Sequence, residues 1–357
     1  MDALTTPSNW QRVRLGDIAE IIGGGTPSTQ ITSFWNGSIN WFTPTEIGIT
    51  KYVHKSQRTI TLLGLKKSSA KLLPIGTILL TSRASIGDCA ILKVVATTNQ
   101  GFQSLIPLEK INNEFLYYLM LTLKNKLLKL ASGSTFLEVS PNKIKNLLIP
   151  LPPLNEQIAI ANVLSDLDHY LCSLDALILK KESVKKALRI KMLNQILASN
   201  RVEFKKIGEI CLIKRGRVIA KKILQENGKY PVYSSQTLNN GILGFIDTYD
   251  FDGEFLTWTT DGAYAGSVFY RNGRFSITNV CGLLQVIQDN IIHKYLYYIL
   301  QITAPLHVNP GMGNPKLMSV AMQQIEIPLP PLNEQIAIAN VLSGLDHEII
   351  SLKNKKR

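Results

Sequence analysis

The sequence predicts an α+β protein built twice over, each half a globular domain of mixed, mostly antiparallel sheet followed by a long helix. Three observations predict it. Residues 149–174 read IPLPPLNEQIAIANVLSDLDHYLCSL and residues 327–352 read IPLPPLNEQIAIANVLSGLDHEIISL, an offset of 178 with 22 of 26 positions identical. Two copies are too few for a solenoid and point to one duplicated unit. Apolar residues inside the copies recur at threes and fours, the period of a helix. The stretches before each copy are short β-rich runs separated by Gly, Asn, Asp and Pro.

Each repeat opens on Pro152-Pro153 or Pro330-Pro331, and proline is tolerated at a helix start but not inside it. Asn155 or Asn333 is the expected N-cap, with Glu156 or Glu334 facing the positive end of the dipole. The apolar stripe runs through Ile160, Val163, Leu164, Leu167, Leu171, Leu174 and Ile178, then Val184, Leu188, Met192 and Ile196, to about Ser199. Between Lys180 and Lys191 lie six basic residues and one acidic one. Such a helix is a rod of roughly 65 Å at 1.5 Å per residue. The helix of the second copy, with Arg357 soon after Leu352, is expected to be the shorter.

In residues 10–148 and 203–326, strands are expected around Thr77–Leu80, Ala90–Val95 and Ser267–Tyr270, and one helix in each segment, near 112–130 and 291–303. Weaker echoes link the halves. Leu15-Gly16-Asp17-Ile18 matches Ile207-Gly208-Glu209-Ile210, and Ile86-Gly87 matches Ala265-Gly266. Thr98-Asn99 matches Thr278-Asn279, and Phe115–Leu119 matches Tyr295–Ile299. A shared order of elements with different residues describes one scaffold with two specificities.

The chain has 357 residues, 45% hydrophobic and 18% charged, enough apolar material for two cores. Its formal charge of +13 makes nucleic acid the first candidate partner, an acidic protein the second and an anionic membrane surface the third. There is no membrane-length apolar run, and Met1 to Trp10 lacks the pattern of a signal peptide. Cys89, Cys172, Cys211 and Cys281 are dispersed without a CxxC pair, which argues against zinc or a disulfide framework and fits a reducing cytoplasm.

The charge is unevenly spread. No acid lies between Glu46 and Asp88, where Lys51, Lys55, Arg58, Lys66, Lys67, Lys71 and Arg83 occur. None lies between Glu209 and Glu226, where Lys214, Arg215, Arg217, Lys221 and Lys222 occur. Polar residues accompany each run: Thr26, Ser28, Thr29, Gln30, Asn99 and Gln100 in the first half, and Ser234, Ser235, Gln236, Asn239 and Asn240 in the second. Lys and Arg neutralise phosphates, Arg and Lys read guanine, and Asn and Gln read adenine. Among them the candidate DNA-binding residues are Thr26, Ser28, Thr29, Lys51, Lys55, Arg58, Arg83, Asn99 and Gln100 in the first half and Lys214, Arg215, Arg217, Lys221, Lys222, Ser235, Gln236 and Asn239 in the second.

No catalytic constellation emerges. Asn309-Pro310-Gly311 and Asn314-Pro315-Lys316 lack the second proline and the aromatic that would sandwich a flipped base. Gly23-Gly24-Gly25 is neither a dinucleotide fingerprint nor a P-loop, so a turn or a close backbone approach is the expected reason for it. His169 and His347 take equivalent structural or partner-contact positions, and Asp166 and Asp168 read as helix-surface acids. Glu156, Gln157, Glu334 and Gln335 either cap the first turn or fix the helix start against a partner subunit.

A family likeness rests on these residues. Ile22-Gly23-Gly24-Gly25-Thr26-Pro27-Ser28, then Phe34-Trp35-Asn36-Gly37, Ile39-Asn40-Trp41 and Thr43, resembles the opening of target-recognition domains in type I restriction-modification specificity subunits. Thr98-Asn99-Gln100-Gly101-Phe102 looks like another such block, and the twice-present IPLPPLNEQ resembles the end of each recognition domain. The resemblance implies target-recognition domains at 1–150 and 203–328, a central spacer helix region at 151–202 and a shortened spacer helix at 329–357, the helices pairing as an antiparallel coiled coil. It implies a non-catalytic subunit without cofactor or metal that reads a bipartite site in double-stranded DNA. The expected partners are two modification (methyltransferase) subunits and, through the complex, restriction (helicase-nuclease) subunits, in DNA methylation and phage defence. A fused restriction-methylation partner, or a basic coiled-coil adaptor without sequence reading, are the alternatives.

Overall fold

The computed structural model describes residues 7–133, 137–198, 202–235, 237–311 and 313–356. Met1–Thr6, Ser199, Gln236 and Arg357, named above, lie outside the described residues. The chain divides into two compact units, Met1–Tyr170 and Leu171–Arg357. Both are α+β.

In the first unit the elements run β1 (Gln11–Arg14), β2 (Ala19–Gly23), β3 (Trp35–Phe42), β4 (Tyr52–Val53), β5 (Arg58–Ile60), α1 (Leu62–Lys66), β6 (Ile78–Leu80), β7 (Cys89–Leu92), β8 (Ala96–Thr98), β9 (Gln103–Pro107), α2 (Asn113–Thr122), α3 (Lys124–Leu130), α4 (Pro141–Lys145) and β10 (Leu148–Leu151). One sheet has the order β2-β9-β6-β7-β4 and a second β5-β3-β8. Pairing is antiparallel except at β4·β7 and β3·β8. The strands expected around 77–80 and 90–95 are β6 and β7, with slightly shorter bounds. Strand side chains alternate between faces. Ile78 and Leu80 therefore enter one core with Leu15, Ile91, Leu105, Leu116 and Met120, while Leu79 enters another with Phe42, Leu73, Ala90 and Phe102. Both faces of the central strand are buried, which is why β6 reads as an unbroken apolar run.

The single helix expected near 112–130 is two helices, broken at Leu123. Asn112 caps the first, its Oδ1 accepting from the Phe115 N–H at 2.8 Å. The sequence reading placed no strand in IPLPPLNEQ, yet its first residues form β10, which pairs antiparallel with β1 and joins the unit's first and last strands.

The second unit repeats this scheme. Its elements are β11 (Glu203–Lys206), α6 (Ile207–Ile210), β12 (Cys211–Arg215), β13 (Tyr230–Tyr233), β14 (Ile242–Ile246), β15 (Phe251–Thr259), β16 (Val268–Ile277), β17 (Cys281–Val286), α7 (His293–Thr303), α8 (Ser319–Gln324) and β18 (Glu326–Leu329). One sheet has the order β12-β17-β15-β16-β13-β14, with only β13·β16 parallel, and β11 pairs with β18 as β1 does with β10. Corresponding hydrogen bonds recur. The Leu15 N–H donates to Leu147 O and the Ile207 N–H to Ile325 O, each at 2.9 Å. The Gly87 N–H donates to Thr81 O at 3.0 Å and the Gly266 N–H to Thr259 O at 2.9 Å. Both glycines have φ near +85° (+89° and +81°), a region that disfavours side chains.

The long helices are α5 (Leu154–Leu197) and α9 (Leu332–Lys356). Each starts earlier than expected. The N–H groups of Glu156 and Gln157 donate to Pro153 O at 3.0 Å, and those of Glu334 and Gln335 to Pro331 O at 2.9 and 3.1 Å. The capping carbonyl thus comes from the second proline, and Asn155 and Asn333 sit inside the first turn. The expected stripe holds at Leu174, Ile178 and Ile196, which are buried, but at the helix start Val163 and Leu167 are exposed while Gln157 and Ala161 are buried.

Gln157 is 1% exposed and Gln335 3%. The Gln157 Oε1 accepts from the Asn112 N–H at 3.0 Å, and its Nε2 donates to Pro152 O at 3.0 Å and Lys110 O at 3.5 Å. Gln335 likewise accepts from the Ile292 N–H at 3.1 Å and donates to Pro330 O at 2.9 Å and Asn290 O at 3.2 Å. Each amide binds the helix start to the loop before α2 or α7. Farther along, the Tyr118 hydroxyl donates to Asp168 at 2.6 Å and that of Tyr298 to Asp346 at 2.7 Å. Asp168 is thus a clamp for α2 and not a bare surface acid. Burial, reinforced by these carboxylates, raises both phenols and keeps them protonated donors.

Within the second unit, residues of α5 after 170 run antiparallel to α9. Lys356 pairs with Asp175, Lys353 with Glu182, Lys181 with Glu348 and Lys185 with Asp346. Such bridges contribute at most about 1 kcal/mol each when exposed. The buried Leu174, Ile178, Leu342 and Ile349 contribute more by leaving water. Among the described residues no helix is long and apolar enough to cross a membrane.

Replacing Gln335 by Leu strands the Ile292 N–H and two carbonyls in the interior. A loss of about 2 kcal/mol in unfolding free energy is expected, against no more than about 0.5 kcal/mol for exposed Glu334→Ala. Denaturant titration of both variants checks this, and equal stabilities would refute the role given to the amide.

Candidate nucleic-acid interface

In the first unit the site begins with the glycines after β2. A Cβ on Gly24 would stand 1.9 Å from the Asn99 carbonyl oxygen, and one on Gly25 2.3 Å from the Ser69 hydroxyl and 2.4 Å from the Ala70 nitrogen. Close backbone approach, not a left-handed turn, is the reason for these glycines. The Gly25 N–H donates to Thr98 O at 2.8 Å. Two indoles fix the loop from beneath: Trp41 Nε1 donates to Gly25 O at 2.8 Å and Trp35 Nε1 to Ser28 O at 3.0 Å. Thr26 donates to the Gln100 side chain, which brings two distant sequence blocks to one edge.

Beyond that contact, the sequence-selected side chains divide into exposed groups and groups engaged within the fold. Ser28, Thr29, Gln30, Gln100, Lys55, Arg58, Lys66, Lys67 and Lys71 are exposed, and the five cations make no ion pair among the described residues. Ser69 and Ala70, which touch Gly25, carry Lys71 beside the loop. Lys51 is a correction. Its ammonium is 2.5 Å from Glu114 and 2.9 Å from the Tyr118 hydroxyl, and its side chain is 13% exposed, so it serves the α2–α5 contact. Arg83 is paired with Glu138 at 2.9 Å. The Asn99 Oδ1 accepts from the Gly101 N–H at 2.8 Å, so it shapes the turn, while Gln100 beside it is exposed.

The second unit uses the same device. A Cβ on Gly216, just after β12, would lie 2.3 Å from Thr278 O. The Thr278 N–H donates to Tyr233 O at 2.9 Å as the Asn99 N–H donates to Phe42 O at 3.0 Å. Thr278 therefore takes the place of Asn99, and the Thr-Asn echo in the sequence is one residue out of register.

Here more of the cations are engaged. Arg217 meets Asp250 at 3.0 and 3.2 Å, Arg215 donates to Asn279 O at 2.5 Å and Lys214 to Gln285 at 3.1 Å. Lys221 and Lys222 are exposed and unpaired among the described residues. Ser234 meets the Thr278 hydroxyl at 3.0 Å, Ser235 is half-buried, and Asn239 and Asn240 are exposed in a turn with φ of +48° and +53°. Arg271, which the sequence reading missed, holds that turn by donating to Asn240 O at 2.9 Å. It is 3% exposed, stacked 3.5 Å over the Tyr233 ring, and burial pushes its guanidinium down to about 10, still charged at neutral pH.

Of the residues assigned to a partner, Gln157 and Gln335 are excluded by burial. Glu156 accepts from Asn9 and from Trp10 at 2.6 and 2.9 Å, and Glu334 is exposed. His169 and His347 are exposed on their helices. Among the described residues no cluster of three or more His, Cys, Asp or Glu could hold a metal ion. Both edges offer cations, hydroxyls and amides, the groups that bind phosphates and base edges.

Comparison with known proteins gives a consistent result. The family model described as the type I restriction modification DNA specificity domain matches twice, at residues 7–181 and 200–357. The type I restriction enzyme MjaIX specificity subunit of Methanocaldococcus jannaschii is 43% identical over 166 residues, 45% of this chain and 38% of that one. The type I restriction enzyme MpnII specificity subunit of Mycoplasma pneumoniae is 47% identical over 141 residues, 39% of this chain and 42% of that one. The matches thus span about two fifths of those relatives' length. A type I system S subunit structure from M. genitalium superposes with a TM-score of 0.69 at 18% identity, covering 99% of this chain and 94% of that one. The HsdS subunit from Thermoanaerobacter tengcongensis superposes at 0.56 and 19% identity, covering 100% and 94%.

Burial pushes the thiols of Cys89 and Cys211 up to about 12 and that of Cys281 to about 11, so below those values they stay protonated. Cys172 alone among the four is exposed. With an aromatic disulfide reagent at pH 8, one thiol per folded chain is expected to react promptly and the other three only on unfolding. Four prompt equivalents would contradict the packing.

Proposed function

This chain belongs to the type I restriction modification DNA specificity family, and on that premise we propose that it reads a bipartite double-stranded DNA site without performing chemistry itself. The observation that carries this reading is one scaffold used twice with different side chains on the same edge. A glycine packed on a backbone carbonyl sets the loop in both units, at Gly24 over Asn99 and at Gly216 over Thr278. The polar and basic residues that accompany the device differ: Thr26, Ser28, Gln100, Arg58 and three exposed lysines in one unit, and Ser235, Asn239, Lys221 and Lys222 in the other. Shared geometry with unlike edges suits two half-sites of unlike sequence.

In this reading residues 1–150 and 203–328 are target-recognition domains and the helices after them are spacers. Support for the spacer role comes from α5, 44 residues without interruption, a rod of about 66 Å. Phosphates are met by the unpaired lysines and base edges by the amides, hydroxyls and Arg58. Methyl transfer belongs to modification subunits docked on the helices, and cleavage to restriction subunits joining the same complex. The exposed Glu334, and Val163 and Val341 on the outer faces of the two identical helix starts, are available for docking.

Methylation profiling of cells with and without this chain, in the presence of the modification subunit, is expected to show a split adenine motif only when the chain is present. Identical profiles would sink the reading. Binding of the complex to that motif is expected to weaken steeply with salt. Replacing Lys66, Lys67 and Lys71 together by Ala should lower the slope of log K against log salt by about 2–3, whereas Lys51→Ala should leave it unchanged. A slope insensitive to the triple replacement would remove these lysines from the interface.

A further inference from the structure

Arg58 differs from most other arginines of the two edges. Arg83, Arg217 and Arg274 are each paired with a carboxylate, and Arg271 is buried. Arg58 projects from β5, a strand held to β3 by backbone pairing of Arg58 with Trp41. Its guanidinium carbon lies 3.7 Å from the centre of the Trp35 ring. That ring meets Trp41 edge-on at 5.0 Å, and both indole N–H groups are spent on the glycine loop. The platform is therefore rigid, and Trp35 and Trp41 are 8% and 4% exposed. Arg58 itself is exposed and has no side-chain acceptor or ion pair among the described residues.

Stacking uses the flat face of a guanidinium and leaves the donor fork in its plane unspent. A side chain fixed in this way has already lost much of the rotamer freedom that binding would otherwise remove. The partner that fits two parallel donors with no competing acid is a pair of acceptors on one edge, and guanine presents N7 and O6 in the major groove. Phosphate oxygens also accept such a fork, but Lys66, Lys67 and Lys71 already supply exposed point charges in the same unit, and among the described residues none of them lies over an aromatic ring.

We propose that Arg58 reads a guanine in the half-site bound by the first unit, with Trp35 as the platform that aims it. This rests on the DNA reading given above and goes beyond it by naming one residue and one base.

The test uses the complete complex with its modification subunits and a pool of randomised duplexes, comparing the unmodified chain with Arg58→Met and Arg58→Lys. Methionine covers the Trp35 ring without donors, and lysine keeps the charge without the fork. The unmodified complex is expected to select a split site with a G·C pair in one half. In Arg58→Met, preference at that one position should fall about 10- to 100-fold, with other positions unchanged, and Arg58→Lys should lie between. Melting temperatures of the variants confirm that each is folded. Uniform weakening across all sequences in Arg58→Met, with full preference kept in Arg58→Lys, would assign a phosphate contact and overturn the proposal. So would preferences unaltered in both variants, while leaving the DNA reading intact. An unmodified complex that selects no split sequence would defeat the DNA reading itself and this proposal with it.

Discussion

Each half of the molecule depends on a side-chain amide buried where three segments meet. Gln157 and Gln335 each satisfy one carbonyl of the Pro-Pro start and a backbone N–H and a carbonyl of the loop before α2 or α7. Water cannot take over these bonds at an exposure of 1% or 3%. An unpaired buried polar group costs more than the made bond contributes, so the arrangement tolerates few alternatives. The amide sets where the helix begins relative to α2 or α7. The Tyr118–Asp168 and Tyr298–Asp346 pairs then set its direction. Residues 149–174 and 327–352 are nearly identical because both copies perform this junction, whereas the domains before them share the order of their elements and a few contacts but little sequence.

The fold was legible where local chemistry decides it. The duplication, the helices at Asn113–Thr122 and His293–Thr303, and the apolar runs of β6 and β7 follow from periodicity and turn residues. The close approach at Gly24 was legible in kind though not in partner. What could not be read depends on neighbours distant in sequence. Lys51 belongs to an acid-free stretch, yet Glu114 reaches it from 63 positions away and removes it from the free cations. Arg217 has the same fate at Asp250. Gln157 read as a first-turn cap or a partner contact because its own neighbours in sequence do not reveal its burial. The loop at Lys110–Asn112, distant in sequence, bonds its amide in the interior. The strand β10 was hidden because its partner β1 lies far earlier in the chain, Arg14 opposite Leu148 and Gln11 opposite Leu151.

A signal for some of these was present. Tyr118 and Asp168 both recur in the second half, as Tyr298 and Asp346, while many residues around the tyrosines change. Two side chains retained together across a duplication are candidates for touching each other, and here they do. No comparable signal marked Arg271, because among its described residues the first unit has no counterpart for a buried guanidinium stacked on an aromatic ring and holding an Asn-Asn turn of positive φ.

The ribbons β1·β10 and β11·β18 place the outset and the finish of each globular body side by side. Everything between can be enlarged, trimmed or exchanged wholesale while the point from which the helix departs stays put. Such a body is a cartridge: its contents are free to diverge under pressure for new targets, and the socket that receives it is untouched.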